Sequence, residues 1–150
     1  MNRNVSYLVF LAVGVVLAVL FLLFPAQIYE GVRYFDGGYS NEMYNYGVYD
    51  TFALIMLLVT WIMAAVYYYV INSVKFDRWP HWLIMLLVCV VVVPSACFAY
   101  NEYVFSDLGL SYLSESMQMM LVNGIAAAVW YVVASFATRW WSSNCRHSPF

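Results

Sequence analysis

Four long apolar runs constrain what this chain can fold into. They cover residues 5–24, 51–71, 82–100 and 117–138, and none contains Asp, Glu, Lys, Arg or His. A helix needs about 20 apolar residues to cross the hydrocarbon core of a bilayer, and each run is near that length. The first run is dominated by Val, Leu and Phe, which together supply fifteen of its residues. We therefore expect four transmembrane segments.

The segments are expected to be helices rather than strands. Backbone groups in lipid must hydrogen-bond within their own helix or around a closed barrel, and these runs are continuously apolar rather than alternating. Charged residues make up only 9% of the chain, against about 25% in a soluble domain. The sequence predicts a single all-α domain, an antiparallel bundle of four transmembrane helices, with connections over residues 25–50 and 101–116 on one side.

The first run is interpreted as an uncleaved helix, not as a signal peptide. Arg3 supplies a basic start, but the run is longer than the usual apolar region of about 7–15 residues. Phe24 also lies where cleavage after Ala26 would require a small side chain.

Charge asymmetry predicts the orientation of the helices. Five of the six basic residues lie before the first run, between the second and third, or after the fourth, whereas seven of the eight acids lie in 25–50 and 101–116. Short cytoplasmic connections are enriched in Lys and Arg, so we expect both termini in the cytoplasm and the acidic connections outside. We predict a plasma-membrane location, and the absence of a glycosylation sequon from the outer connections is compatible with a bacterial origin.

Tyr and Trp near the ends of the runs are expected to be interface anchors, because both favour the headgroup region. The outer set is Tyr29, Tyr49, Tyr100 and Tyr103, and the inner set is Tyr67, Tyr68, Tyr69, Trp79, Trp82, Trp140 and Trp141. Pro94 predicts a kink or break in the third helix, with Ser95 satisfying the freed carbonyl. The tail 142–150 is expected to be mobile.

The fourth run has one face of small and polar residues. Membrane helices associate through small side chains, and Asn can hydrogen-bond between helices. We expect this face to contact protein, either inside the monomer or at a subunit or pore interface, while the Val- and Leu-rich face contacts lipid. The candidate packing or oligomer-interface residues are Asn123, Gly124, Ala127, Ala128, Tyr131 and Ser135, with Gly14 and Ala18 as a weaker pair on the first helix.

The connection 25–50 is the candidate contact surface. It is rich in Tyr, which supplies large amphipathic contact area at low entropic cost. Gly37 and Gly38 can bend the chain so that the tyrosines point outward. The candidate residues are Tyr34, Asp36, Tyr39, Glu42, Tyr44 and Tyr46. They do not follow the pattern of a calcium-binding loop. The alternative interpretation is a solvated connection, which is acidic because Lys and Arg are enriched in the cytoplasmic connections instead.

Several kinds of chemistry find no support in the sequence. The runs contain no ionisable side chain of the kind that marks proton relays or transport sites. The three cysteines form no CxxC pair and have no zinc spacing, and no phosphate-binding or dinucleotide motif occurs. The few basic residues are too scattered for nucleic-acid binding. We therefore expect no catalytic residues, no metal and no cofactor.

Three functions remain open. The first is a non-enzymatic subunit of a membrane assembly, a small channel or a scaffold, which would form a homo-oligomer or bind a partner membrane protein within the lipid bilayer. The second is a binding protein that neutralises a membrane-acting toxin: the chain resembles immunity proteins against pore-forming colicins in size and topology only. The third, a membrane enzyme, has the weakest support.

Overall fold

A computed structural model describes residues 3–35 and 37–148, and within these residues the secondary structure is helical with no β-strand. Four helical spans are long and apolar enough to cross a membrane: Val5–Leu23, Val48–Ile71, Trp79–Asp107 and Leu113–Trp141. The predicted all-α fold with four apolar helices is confirmed, and it is the fold of a multi-pass membrane protein.

The helices follow one another with short connections. They are α1 (Arg3–Leu23), α2 (Pro25–Val32), α3 (Tyr39–Asn45), α4 (Val48–Ala65, continuing as a π-helical turn over Val66–Ile71), α5 (Trp79–Asp107) and α6 (Leu113–Thr138), with 3₁₀ turns at Val74–Phe76 and Arg139–Trp141. The long helices begin and end within a few residues of the predicted limits, except that α5 continues beyond Tyr100 to Asp107. Much of the predicted connection 101–116 is therefore helical.

Helix α6 is the centre of the bundle, because it contacts α1, α4 and α5. Helix α1 lies at the periphery. Only 11% of the residues in its apolar span are buried inside the protein, against 28–33% in the other three spans. Its exposed Val, Leu and Phe side chains are the surface that lipid would cover.

The connection between α1 and α4 folds over one end of the bundle instead of projecting from it. Pro25 begins α2, where its missing N–H costs no helical hydrogen bond. Gly38 and Gly47 have positive φ angles and lead into α3 and α4. The apolar sides of α2 and α3 join a core cluster that also contains residues of α1, α4, α5 and α6.

The interface-anchor interpretation is wrong for several aromatic residues. A side chain that is buried in the bundle does not contact the headgroups. The buried residues are Tyr29 and Tyr49 at the α2–α3 end, and Tyr67, Tyr68 and Trp82 at the opposite end. Trp79, Tyr103 and Trp141 remain exposed, as an anchor requires.

Pro94 lies inside α5, which continues through it without a break. Pro94 leaves the Val90 carbonyl without its helical N–H partner. The Ser95 hydroxyl donates to the Val91 carbonyl, at 2.7 Å, so it does not satisfy the carbonyl that we had expected it to satisfy.

The prediction of a mobile tail is wrong for residues 142–148. Asn72, which ends the π-helical turn at a φ of 30°, holds this segment. Its side chain accepts hydrogen bonds from the Ser142 hydroxyl and the Asn144 N–H, both at 2.9 Å, and donates to Ser143 Oγ at 2.9 Å. The tail thereby buries the Cys145 side chain completely. Three serine and asparagine side chains thus fix a segment whose polar composition suggested mobility.

Candidate functional site

The small and polar face of α6 is used inside the bundle. Asn123, Ala127, Tyr131 and Ser135 are buried, while Gly124 and Ala128 are half-buried. On the opposite face, Leu121 and Ile125 are more than 70% exposed. The small and polar face is therefore buried and the opposite face exposed, and the protein that the buried face contacts is the chain itself. Most of this face is not free to form a subunit interface.

Glycine permits two close helix contacts, and they differ in how much space is left. A Cβ atom on Gly14 would lie 2.7 Å from Cβ of Ala137 on α6, so only glycine fits there without movement of a helix. A Cβ atom on Gly124 would lie 3.6 Å from Cγ of Pro94, which is an ordinary contact distance. Ala18 is half-buried one turn from Gly14 and packs against the core. Gly14, which belongs to the pair predicted to be weaker, thus makes a closer contact than Gly124.

The candidate contact surface is only partly available. Tyr34, Tyr44 and Tyr46 are exposed by 50%, 63% and 48%, and Glu42 is half-buried. Tyr39 is wrong as a contact residue, because its side chain is fully buried with its ring against Phe105 and Tyr112. Asp36 lies outside the described residues. We name the three exposed tyrosines the outer tyrosine surface.

A polar cluster lies buried beneath this surface, at the place where α2, α3, α4, α5 and α6 converge. Its buried polar residues are Tyr29, Tyr39, Ser40, Tyr49, Asn101, Ser116 and Asn123. The rings of Tyr29 and Tyr49 stack at 5.6 Å between centroids. Asn101 Nδ2 donates to Ser116 Oγ at 2.6 Å, and the Phe35 N–H donates to Ser40 Oγ at 2.9 Å. We name this group the buried tyrosine cluster.

One hydrogen bond in the cluster joins α2 to α6. The Tyr29 hydroxyl donates to Asn123 Oδ1 at 2.8 Å. Burial raises the pKa of Tyr29 well above its ordinary value, with smaller contributions from nearby Cys97 and Tyr49. The hydroxyl therefore remains protonated and able to donate. Asn123 thus makes a hydrogen bond between helices.

Several polar atoms in the cluster have no hydrogen-bond partner within the described part of the chain. They are Tyr39 Oη, Tyr49 Oη, Asn101 Oδ1 and Asn123 Nδ2. The Tyr39 hydroxyl lies close to Ser116 and Asn101, which offset part of the increase in its pKa that burial causes. A buried polar group without a partner costs about 1–3 kcal/mol.

Asn123→Ala is expected to destabilise the protein by about 1–2 kcal/mol, because it leaves the buried Tyr29 hydroxyl without an acceptor. Tyr29→Phe should also destabilise the protein, because it leaves the buried Asn123 Oδ1 without a donor. The unfolding free energy in mixed micelles, measured for both variants and their combination, gives the coupling between the two side chains.

Ser95→Ala is the control for this cycle, because its hydroxyl bonds within its own helix and does not join two helices. We expect it to change the unfolding free energy by less than about 0.5 kcal/mol. Additive effects of Tyr29→Phe and Asn123→Ala would contradict a hydrogen bond between α2 and α6.

Sequence reasoning missed most of the buried tyrosine cluster. Ser40, Asn101 and Ser116 lie outside the four apolar runs, in the predicted connections 25–50 and 101–116. The available signal was the spacing of Tyr39 and Met43, which are four residues apart and both fully buried. This is the i, i+4 spacing that places two side chains on one helical face.

The arrangement offers hydrogen bonding but no recognisable reactive group. Cys89, Cys97 and Cys145 are free and buried, far from the exposed, electropositive setting that activates a thiol. Within residues 3–35 and 37–148, no group of three or more His, Cys, Asp or Glu residues is placed to hold a metal ion. Neither a protein family, nor a curated protein, nor a solved structure matches this chain.

Proposed function

We propose that this chain is a non-enzymatic subunit of a membrane assembly, and that the outer tyrosine surface contacts its partner. The observation that carries the proposal is the uneven burial of residues 34–46. Tyr39 and Met43 anchor α3 in the core, whereas Tyr34, Tyr44 and Tyr46 remain about half exposed or more. Exposed aromatic side chains on an anchored segment lose little entropy when they bind.

The assembly is a scaffold rather than a pore inside one chain. Phe52 and Met56 of α4 and Tyr131 of α6 are fully buried, and close-packed interiors of this kind leave no continuous path for an ion. A channel would have to form between chains. Glu42 and Asp50 would then lie near its mouth, and replacing both with Lys would reduce its preference for cations.

The triple variant Tyr34→Ser, Tyr44→Ser and Tyr46→Ser is expected to convert the oligomer to a monomer. Tyr side chains that become buried at an interface are among the residues that contribute most to association. Loss of these three tyrosines therefore removes the main contacts. The mass of the chain in nanodiscs measures the outcome, with a defined oligomer expected for the native sequence.

Tyr103→Ser is the matched control, because Tyr103 is 72% exposed at the same end of the bundle but belongs to α5. It should leave the oligomer intact. An oligomer that survives the triple substitution would contradict the role of the outer tyrosine surface, and a native chain that is monomeric would contradict a homo-oligomer.

We infer a bacterial plasma-membrane location with both termini in the cytoplasm. The charge asymmetry supports this orientation, and four crossings of the bilayer would bring both termini to the same side. A reporter that is active only in the cytoplasm should therefore be active when it is fused to the C-terminus, and a reporter that is active only outside the cytoplasm should be inactive there.

The alternative function is an immunity-type binding protein that neutralises a membrane-acting toxin. The internal use of the α6 face supports it, since a bundle that satisfies its own small-residue contacts can be stable as a monomer. A monomeric mass combined with protection of cells against a pore-forming toxin would favour this function over the assembly.

A further inference from the structure

An apolar groove of about 560 Å³ lies on the outside of the bundle, between α1, α2 and α6. The side chains that define its course are Leu17 and Phe21 of α1, Ile28 and Val32 of α2, and Val122 and Val133 of α6. Leu17, Ile28 and Val32 are more than 40% exposed. The groove is therefore open to the surrounding membrane rather than enclosed within the protein.

The length of the groove matches one leaflet. Val122 and Val133 are eleven positions apart on α6, which at 1.5 Å per residue corresponds to about 16 Å. Half of a hydrocarbon core of about 30 Å is about 15 Å. An acyl chain of one leaflet therefore fits the length of the groove.

A cationic side chain marks the end of the groove that faces the headgroups. Arg33 directly follows Val32, and its Nη2 donates to Gln118 Oε1 on α6 at 3.1 Å. Gln118 is one turn before Val122 on the same helical face. The guanidinium also lies 5.0 Å from the centre of the Phe35 ring. Gln118 and Phe35 are neutral, so neither neutralises the charge, and a guanidinium at this position suits a phosphate.

An acidic side chain follows on the same face of α6. Glu115 is three residues before Gln118, which places it about 4.5 Å further along the axis and on the same helical face. It is half-buried in the first turn of α6. Cationic and acidic groups in this order complement a headgroup that carries a phosphate followed by an amine. The other acids at this end of the bundle disfavour a headgroup with a net negative charge.

We propose that the groove binds one acyl chain of a zwitterionic phospholipid, with Arg33 contacting the phosphate and Glu115 contacting the amine. This site is separate from the outer tyrosine surface and does not depend on the proposed assembly. Lipid elsewhere on α1 and α6 exchanges freely, whereas the groove retains its lipid through apolar burial and two charged contacts.

Native mass spectrometry of the full chain tests the proposal. The chain is equilibrated with equal amounts of phosphatidylethanolamine and phosphatidylglycerol that carry identical acyl chains. We expect one retained phosphatidylethanolamine per chain. Arg33→Gln should lower its retention about tenfold, as expected for the loss of one charged hydrogen bond, and Glu115→Gln should abolish the preference for the amine-containing lipid. Glu102→Gln, an acid at the same end of the bundle on α5, should change neither quantity.

Groove filling provides a second variant. Ala126→Trp places a large side chain between α1 and α6 and should displace both lipids, whereas Leu58→Trp on the exposed side of α4 should displace neither. If Ala126→Trp does not fold, quenching of Trp130, which also lines the groove, replaces it. Phosphatidylethanolamine with brominated acyl chains should then quench the native chain more strongly than its Trp130→Phe variant.

Three outcomes would overturn the proposal. Equal retention of the two lipids that Arg33→Gln does not change would mean that the groove holds only exchangeable lipid. A lipid-free dimer that Ala126→Trp dissociates would mean that a second copy of the chain covers the groove. Equal quenching of the native chain and the Trp130→Phe variant would mean that no acyl chain enters the groove.

Discussion

Replacing Asn72 with alanine is expected to make Cys145 react with a water-soluble maleimide about 100-fold faster than in the native chain. The Asn72 side chain makes three hydrogen bonds to residues 142–144, each worth about 0.5–1.5 kcal/mol. Their combined loss of about 3 kcal/mol corresponds to about 100-fold in the population of the released tail. The reaction rate follows that population, because the thiol is fully buried when the tail is docked.

Backbone conformation contributes separately, and a second variant isolates it. Asn72 has a φ of 30°, a region that Asn tolerates better than Ala. Asn72→Gly removes the same side-chain bonds without this strain, so it should release the tail less than Asn72→Ala. Asn144→Ala removes only the bond from Asn144 Nδ2 to the Asn72 carbonyl, at 2.7 Å, and should have the smallest effect. An unchanged maleimide rate in Asn72→Ala would contradict the role of Asn72 in holding the tail.

The protonation of Cys145 makes the docking of the tail depend on pH. Burial raises the pKa of this thiol above its ordinary value, so the docked tail favours the protonated form. The contribution of the protonated Cys145 thiol to the stability of the docked tail is then fully present at neutral pH. It is lost as the pH rises through the raised pKa. Cys89 and Cys97 are buried within the α5 span and are not expected to react in either state.

The four spans were predictable because a single physical requirement determines them. Runs of about 20 residues without an ionisable side chain have few stable positions outside lipid. The two faces of α6 were predictable for a related reason, since small residues permit close helix contacts and Leu or Val does not require them. Asn123 was found among the candidates because it is one of very few amides within the runs.

The folding of the connections was not predictable from the same evidence. Tyr29 and Tyr49 have the composition and position of interface anchors, and only the tertiary contacts of α2 and α3 show that both are buried. The tail contains no apolar run, so nothing in its sequence indicated that Asn72, about 70 residues earlier, would hold it. Polar hydrogen bonds between distant segments leave no periodic pattern, and this is why these two features were missed.

Gly14→Ala is the second substitution for which we expect a large effect. The added Cβ atom would lie 2.7 Å from Cβ of Ala137, and neither atom can rotate away because each is fixed to its helix backbone. Helix α1 must therefore move away from α6, which should lower the unfolding free energy in mixed micelles by about 1–3 kcal/mol. Gly124→Ala is the same chemical change at a position with an ordinary 3.6 Å contact, and it should not destabilise the protein, because alanine has a helix propensity more favourable than that of glycine by about 1 kcal/mol.

A compensating substitution separates the close contact from any general effect of losing a glycine. Ala137→Gly removes the opposing Cβ atom, and it should cost about 1 kcal/mol alone through the lower helix propensity of glycine. In combination with Gly14→Ala, it should restore most of the lost stability, because the Cβ atom added on α1 then occupies the space left by the Cβ atom removed from α6. The measured coupling should be favourable and larger than about 1 kcal/mol. Additive losses would show that α1 does not pack on α6 through Gly14.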